Sequence, residues 1–284
     1  MGTWDQTVSV TWMGTAGVLI SDGNTGILID PYVTRCGFFK IALNRPLQPE
    51  IPLVDRWLER LGKHHIKAVA VTHSHFDHCL DAPYFARNTG APLMGSESTL
   101  NVGRGAGLSE DCLQIVRHDQ TRDIGDFSVR FIESIHGPAF LGRVPYPGTI
   151  DKPLVGPRPA GDYKLGQTFA IRISHPCGTI VHHGSAGFIP GMYNATKADV
   201  VLLGIVGRGD TQTYLKNIPL QLGAKLLIPI HFDNFFVPLA KKMKVMPTAH
   251  FGEFIATAQK YHHDFALRLL TIGEKTSVLP LKRS

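Results

Sequence analysis

Apolar and polar residues alternate in TVSVTW, Thr7 to Trp12, which predicts a half-buried strand at the start of the chain. GVLI follows a turn between Gly14 and Gly17, and GILID follows the polar cluster Ser21 to Thr25, so two more short strands precede Asp30. After Pro31 the period is lost in a segment containing RCGFFKIALNRP, and a helical pattern then covers about Val54 to Leu61. AVAV, Ala68 to Val71, is a continuous apolar run suited to a buried strand, and it leads directly into THSHFDHCLDAP. Short helices are predicted at about Ala82 to Arg87 and Ser96 to Val102.

The second half repeats this order. FSVRFIESI alternates from Phe127 to Ile135 and TFAIRIS from Thr168 to Ser174, and TIVHH, ADVVLLG and KLLIPI supply further strands. Helical patterns fall near Thr211 to Leu222 and Thr248 to Tyr261. Between Ile135 and Thr168 lies a long stretch rich in Pro and Gly without a sustained period, of the kind that is functional or mobile in a compact domain. Strand-rich blocks followed by helices at both ends predict two similar layered halves sharing one core. Residues 1–284 therefore read as one domain with loop insertions at about 32–52 and 138–166.

Composition narrows the class. With 43% hydrophobic and 18% charged residues the chain has ample material for a core, and no apolar run reaches the length of a membrane-spanning helix. MGTWDQTVSVTWMG lacks a basic opening and a continuous apolar stretch, so no secretory leader is expected. Cys36, Cys79, Cys112 and Cys177 lie far apart and form no CxxC pair, which argues against a zinc ribbon or a disulfide framework and for a reducing cytoplasm. The net charge of +6 would suit an anionic partner, but only Lys241, Lys242 and Lys244, and the tail with Lys282 and Arg283, form clusters, too short for a nucleic-acid footprint.

The candidate chemistry lies in THSHFDH. His73 and His75 are two apart and point to one side of an extended segment, and Asp77 and His78 follow after a turn. Imidazole and carboxylate are the ligands a zinc-like ion prefers, and a catalytic site needs about three of them with a position left open.

THSHFDH resembles the HxHxDH signature of the metallo-β-lactamase superfamily, and other landmarks occur in family order: ILIDP with Asp30, IHG with His136, HHGSAG at the usual GD[ST] segment, and PIHFD with His231. The resemblance implies a four-layer αββα sandwich of class α/β with metals at one rim. It also implies His73, His75 and His136 around a first metal, Asp77, His78 and His231 around a second, and Asp30 behind them orienting a ligand or the turn after Val71.

In one place the chain departs from the family. The bridging aspartate of the family falls at Ser185, a weaker ligand that carries no charge, so weaker binding at one site, a bridging water or a one-metal enzyme is expected. Of His182 and His183, strand alternation sends one inward and the other outward. Cys79 is expected to pack, and His64, His65, His262 and His263 to be solvated. Asp210 and Asp233 lie on loops expected to reach the rim, where Asp210 is a candidate for substrate contact. The two insertions carry Phe38, Phe39, Phe140, Leu141 and Tyr146 beside Arg35, Lys40, Arg143 and Arg158. Phe140, Arg143 and Tyr146 are further substrate candidates, since an apolar wall with basic residues suits a partly hydrophobic anionic ligand. The same aromatics would equally serve a homo-oligomer interface.

A bound divalent ion lowers the pKa of water to about 7 and stabilises charge during attack, so hydrolysis follows, with Asp77 best placed to orient the water and return a proton. The chain is similar to the branch holding phosphodiesterase-like and ascorbate-6-phosphate lactonase-like hydrolases, which implies a small ester, lactone or phosphodiester substrate. A nuclease of the same superfamily and a non-hydrolytic metal protein are the alternatives. One or two zinc ions are expected, with manganese and iron also compatible with these ligands.

Overall fold

The computed structural model describes residues 7–281, so the Lys282 and Arg283 cluster lies outside the described residues. The first half supplies β1 (Val8–Gly14), β2 (Gly17–Ser21), β3 (Gly26–Ile29), β4 (Ile66–Ala70), β5 (Leu93–Gly95) and β6 (Leu113–Ile115). The second supplies β7 (Thr121–Ile124), β8 (Phe127–Ser134), β9 (Thr168–His175), β10 (Gly178–His183), β11 (Val200–Gly204), β12 (Leu226–Ile230) and β13 (Ala266–Leu267), and β14 (Lys275–Leu279) returns to the first sheet. The sheets run in the orders β14-β1-β2-β3-β4-β5-β6 and β13-β12-β11-β10-β9-β8-β7. Each has antiparallel pairing on one side and parallel pairing on the other, β3–β4–β5–β6 in the first sheet and β10–β11–β12–β13 in the second. The halves are thus alike in topology, as the repeated sequence pattern predicts.

Side-chain alternation builds the layers. In β2 and β3, Val18, Ile20, Ile27 and Ile29 enter the core between the sheets, while Leu19 and Leu28 face the helices of the outer layer. Burial on both faces explains why GVLI, GILI and VVLLG read as continuous apolar runs. Outside the first sheet, α2 (Ile51–Leu61), α4 (Ala82–Thr89) and α5 (Glu97–Gly105) contribute Val54, Trp57, Leu58, Phe85, Ala86 and Val102 to that outer core. On the second sheet, α6 (Thr211–Leu215) and α7 (Phe251–Gln259) contribute Tyr214, Leu215, Phe254 and Ala258. The result is the αββα sandwich.

Several elements differ from expectation. The helical pattern to Leu222 is interrupted after Leu215, where Lys216–Leu220 widens into a π turn around Pro219, which has no N–H for the regular ladder. α7 starts only at Phe251, because Pro247–Ala249 forms a separate turn and His250 takes a left-handed conformation. α1 (Phe38–Ala42) and α3 (Phe76–Cys79) are too short to show a period. Residues 135–167, between β8 and β9, add no strand but pack onto the first half: Asn101 Nδ2 donates to the Ile150 carbonyl, Ser74 N–H donates to the Leu165 carbonyl, and Ile150, Ala160 and Tyr163 enter the outer core. Among the described residues no helix is long and apolar enough to cross a membrane.

Candidate metal centre

Asp30, the histidine cluster, His136, Ser185 and His231 follow the C-terminal ends of β3, β4, β8, β10 and β12, so the topology gathers them at one rim. His73, His75 and His136 form a near-equilateral triangle, with ring centroids 4.8, 4.9 and 4.9 Å apart. The second group lies beside it, the His73 and His78 rings being 3.9 Å apart. There His231 Nε2 is 3.2 Å from His78 Nε2 and 3.3 Å from Asp77 Oδ2, and His78 Nε2 is 3.7 Å from the same oxygen. Tetrahedral ligands on bonds of about 2.0–2.1 Å stand about 3.3 Å apart, so these spacings fit one ion. Each expected triad is brought together.

The protons are arranged to leave lone pairs facing inward. Thr72 Oγ1 donates to Asp30 Oδ2 at 2.6 Å, so its oxygen accepts from His73 Nδ1, leaving His73 Nε2 buried and without a protein partner. His136 Nδ1 donates to the Gly137 carbonyl at 2.6 Å, and His78 Nδ1 donates to Asp30 Oδ2 at 2.8 Å. His75 Nε2 is likewise buried and unpartnered. Behind the inward-facing nitrogens of His73, His136 and His78, a hydrogen bond of this kind fixes the tautomer a ligand requires. The residues present fit a pair of divalent ions.

Electrostatics agree. Burial and the neighbouring imidazoles hold His73 well below the usual histidine range, and burial with His136 lowers His75 to about 3. Burial lowers His136 to about 4. Burial would raise Asp77, but His78 and His231 outweigh it and keep the carboxyl ionised. Burial would likewise lower His78, yet Asp30 and Asp77 raise it. The metal-free protein should therefore be acid-sensitive in a defined window. His75 and His136 bind protons near pH 6.5 when unfolded but near 3 and 4 when folded, so the unfolded state holds more protons in between and stability falls as pH drops from about 6.5 to about 4. Thermal melts of chelator-treated protein across that range check this, and His136→Asn should flatten the slope.

Asp30 is fully buried and accepts from Thr72 N–H, Thr72 Oγ1 and His78 Nδ1. Asp30 and His231 both have positive φ, 48° and 54°, conformations that a non-glycine residue holds only when its surroundings enforce them. His231 N–H donates to the Thr15 carbonyl, Thr15 N–H donates to Asp233 Oδ1 at 2.7 Å, and Asp233 Oδ2 pairs with Arg35 at 2.8 Å in a buried ion pair. A side chain at Gly14 would put its Cβ 1.9 Å from Arg35 Nη2, so only glycine admits this pair. Asp233, expected at the rim, is instead one of the groups holding His231.

Other expectations divide. Ser185 lines the site with its hydroxyl donating to the Ile135 carbonyl at 3.2 Å. His182 and His183 are both buried: His182 Nε2 donates to the Ala16 carbonyl, and His183 bonds Tyr193 Oη and the Gly187 carbonyl, so the outward-facing ring is covered by the outer layer. Cys79 packs in the outer core. Asp210 caps α6 by accepting from Thr213 N–H at 2.8 Å and is not among the residues lining the cavity at the site. Phe140, Arg143 and Tyr146 do line that cavity, with Phe38 and Phe39. The cavity is about 1420 Å³ and also takes in Phe235, Phe236 and Met246, which sequence reasoning missed. Tyr146 packs edge-on at 6.1 Å against His75, and burial and Asp77 raise its phenol, which stays a donor. A further grouping, Asp22, Asp126 and His175, lies at the opposite strand ends. There Cys177 N–H donates to His175 Nδ1, so Nε2 of the neutral ring carries the proton and offers no lone pair.

A sandwich with two convergent ligand groups at the strand ends defines a metallohydrolase-type protein. Residues 9–231 match the family described as a β-lactamase superfamily domain, and the chain belongs to that superfamily. A UPF0173 metal-dependent hydrolase of Anaeromyxobacter sp. (strain K) is 30% identical over 235 residues, 80% of this chain and 75% of the relative; this chain too is a metal-dependent hydrolase. Among solved structures, Igni18, a metallo hydrolase from Ignicoccus hospitalis, has a TM-score of 0.58 at 18% identity, covering 96% of this chain and 98% of that one. CmlA, a diiron β-hydroxylase from Streptomyces venezuelae, has a TM-score of 0.59 at 14% identity, covering 98% of this chain and 55% of that one. Both likenesses concern the fold alone.

Proposed function

We propose that the chain hydrolyses a partly hydrophobic ester, lactone or phosphodiester, with zinc at the two ligand groups. The observation that carries this reading is two adjacent groups of side chains opening onto an apolar cavity, one of three imidazoles that burial keeps unprotonated and one of two imidazoles with an ionised carboxylate. Zinc bound there would supply an activated water at neutral pH and polarise the scissile oxygen. Asp77 accepts the proton of the attacking water and returns it to the leaving group, because it is the ionised carboxylate beside His78 and His231 and lines the cavity together with His75 and His136. Tyr146 donates to the oxygen on which charge develops, and Arg143 attracts an anionic substrate. Phe140 and its aromatic neighbours hold the apolar part.

The Ser185 departure leaves the iron-redox reading to weigh, since a diiron hydroxylase shares the fold. Five imidazoles and one carboxylate favour zinc, as iron-based oxidation draws on carboxylate-rich sites. A nucleic-acid substrate is disfavoured by a cavity lined mainly with aromatic and aliphatic side chains. Assays of the zinc-loaded protein on bis-p-nitrophenyl phosphate, on a lactone panel and on short p-nitrophenyl esters test the reading. Turnover of one class that is lost in Asp77→Asn supports it; no turnover of any class overturns it.

A further inference from the structure

The cavity, about 1420 Å³, exceeds the roughly 300–1,000 Å³ of pockets that take a drug-sized ligand. Residues 37–42, 139–146 and 234–237 form one part of its lining. They turn apolar side chains outward: Leu141 is 87% exposed, Phe39 77% and Phe140 66%, and Leu43, next to the first segment, is 65% exposed. Phe38 meets both Phe39 and Phe236 edge-on, which joins the first segment to the third. Single exposed apolar residues are ordinary, but a group of them sharing one cavity marks a contact surface.

Charge identifies what the surface meets. Beside the cavity, residues 37–46 and 138–148 carry the exposed cations Lys40, Arg45 and Arg143, the adjoining loop 238–245 adds Lys241, Lys242 and Lys244 around a neighbouring cleft, and none of these segments holds an acidic residue. We propose that this rim docks on an anionic lipid bilayer, and that the substrate is a single-chain amphiphile drawn from it. Its hydrolysable head would sit at the ligand groups and its chain in the cavity, a placement that rests on the function proposed above. Aromatic rings that enter the headgroup level, interleaved with cations that meet lipid phosphates, are what an interfacial surface requires. A second copy of the chain could also cover these apolar residues, but a two-fold face would set the same cations against one another with no acid between them.

The test is sedimentation of the full chain with vesicles of phosphatidylcholine and phosphatidylglycerol in equal parts, beside phosphatidylcholine vesicles and a sizing column without lipid. Expected is salt-sensitive binding to the mixed vesicles, about tenfold weaker on the neutral ones and about tenfold weaker in Leu43→Asp/Leu141→Asp. Unchanged metal content and melting temperature verify that the double variant is folded. No binding to mixed vesicles, or binding that the double variant retains, overturns the proposal, and a lipid-independent dimer that the double variant splits assigns the face to a second copy. Binding is read without turnover, so its failure leaves hydrolysis of a short soluble ester standing. Given such turnover, kcat/KM should rise with acyl length from acetate to decanoate; a flat series overturns the amphiphile assignment.

Discussion

His75→Ala is expected to lower kcat/KM by about a thousandfold or more while leaving the fold intact. The ring is buried with Nε2 unpartnered, so nothing in the protein replaces it at the first ligand group. The triangle of His73, His75 and His136 then has one corner missing, and its ion should be lost or weakly held. Stability of the metal-free protein should change little, because removing His75 also removes a group whose protonation opposes folding below pH 6.5. Steady-state kinetics with metal analysis check both halves, and a variant that keeps its metal and its rate would remove His75 from the centre.

Asp30→Ala should be costly in a different way. Three donors converge on this fully buried carboxylate, Thr72 N–H, Thr72 Oγ1 and His78 Nδ1, and truncation leaves all of them without an acceptor. Breaking a buried charged network of this kind costs about 3–5 kcal/mol, and loss of the group orienting His78 should weaken metal binding about 10–100-fold. Chemical denaturation of the metal-free variant measures the first effect and metal titration the second. Asp30→Asn keeps the shape but directs an amide at donors, so it should recover little of either.

The parts of this molecule differ in how far they could be read from sequence. Strands β2, β3, β11 and β12 are buried on both faces, and their apolar runs stand out without any structural knowledge. β5, β6 and β13 have three residues or fewer and carry no period, so only pairing with their neighbours defines them. His73, His75, Asp77 and His78 announce themselves by spacing, whereas His136 and His231 came from family resemblance, each being a single histidine at a strand end. The Arg35–Asp233 pair joins opposite ends of the chain through the β1–β2 turn, a relation no local pattern contains. Asp210 carries a local signal of its place, because an aspartate immediately before a helical pattern caps the helix rather than reaching for a ligand. Both histidines of β10 proved buried because the outer layer covers the second sheet, which alternation along one strand cannot disclose.

The proposed function requires two groups of side chains that each hold a divalent ion, although Ser185 stands where the superfamily's bridging carboxylate falls. Its most direct test is elemental analysis of the protein purified without added metal, with Ser185→Asp measured in parallel. About two ions per chain, mainly zinc, are expected in the native protein, with tighter retention in the variant. Protein that is folded and still metal-free in both forms, even after zinc is supplied, would contradict it.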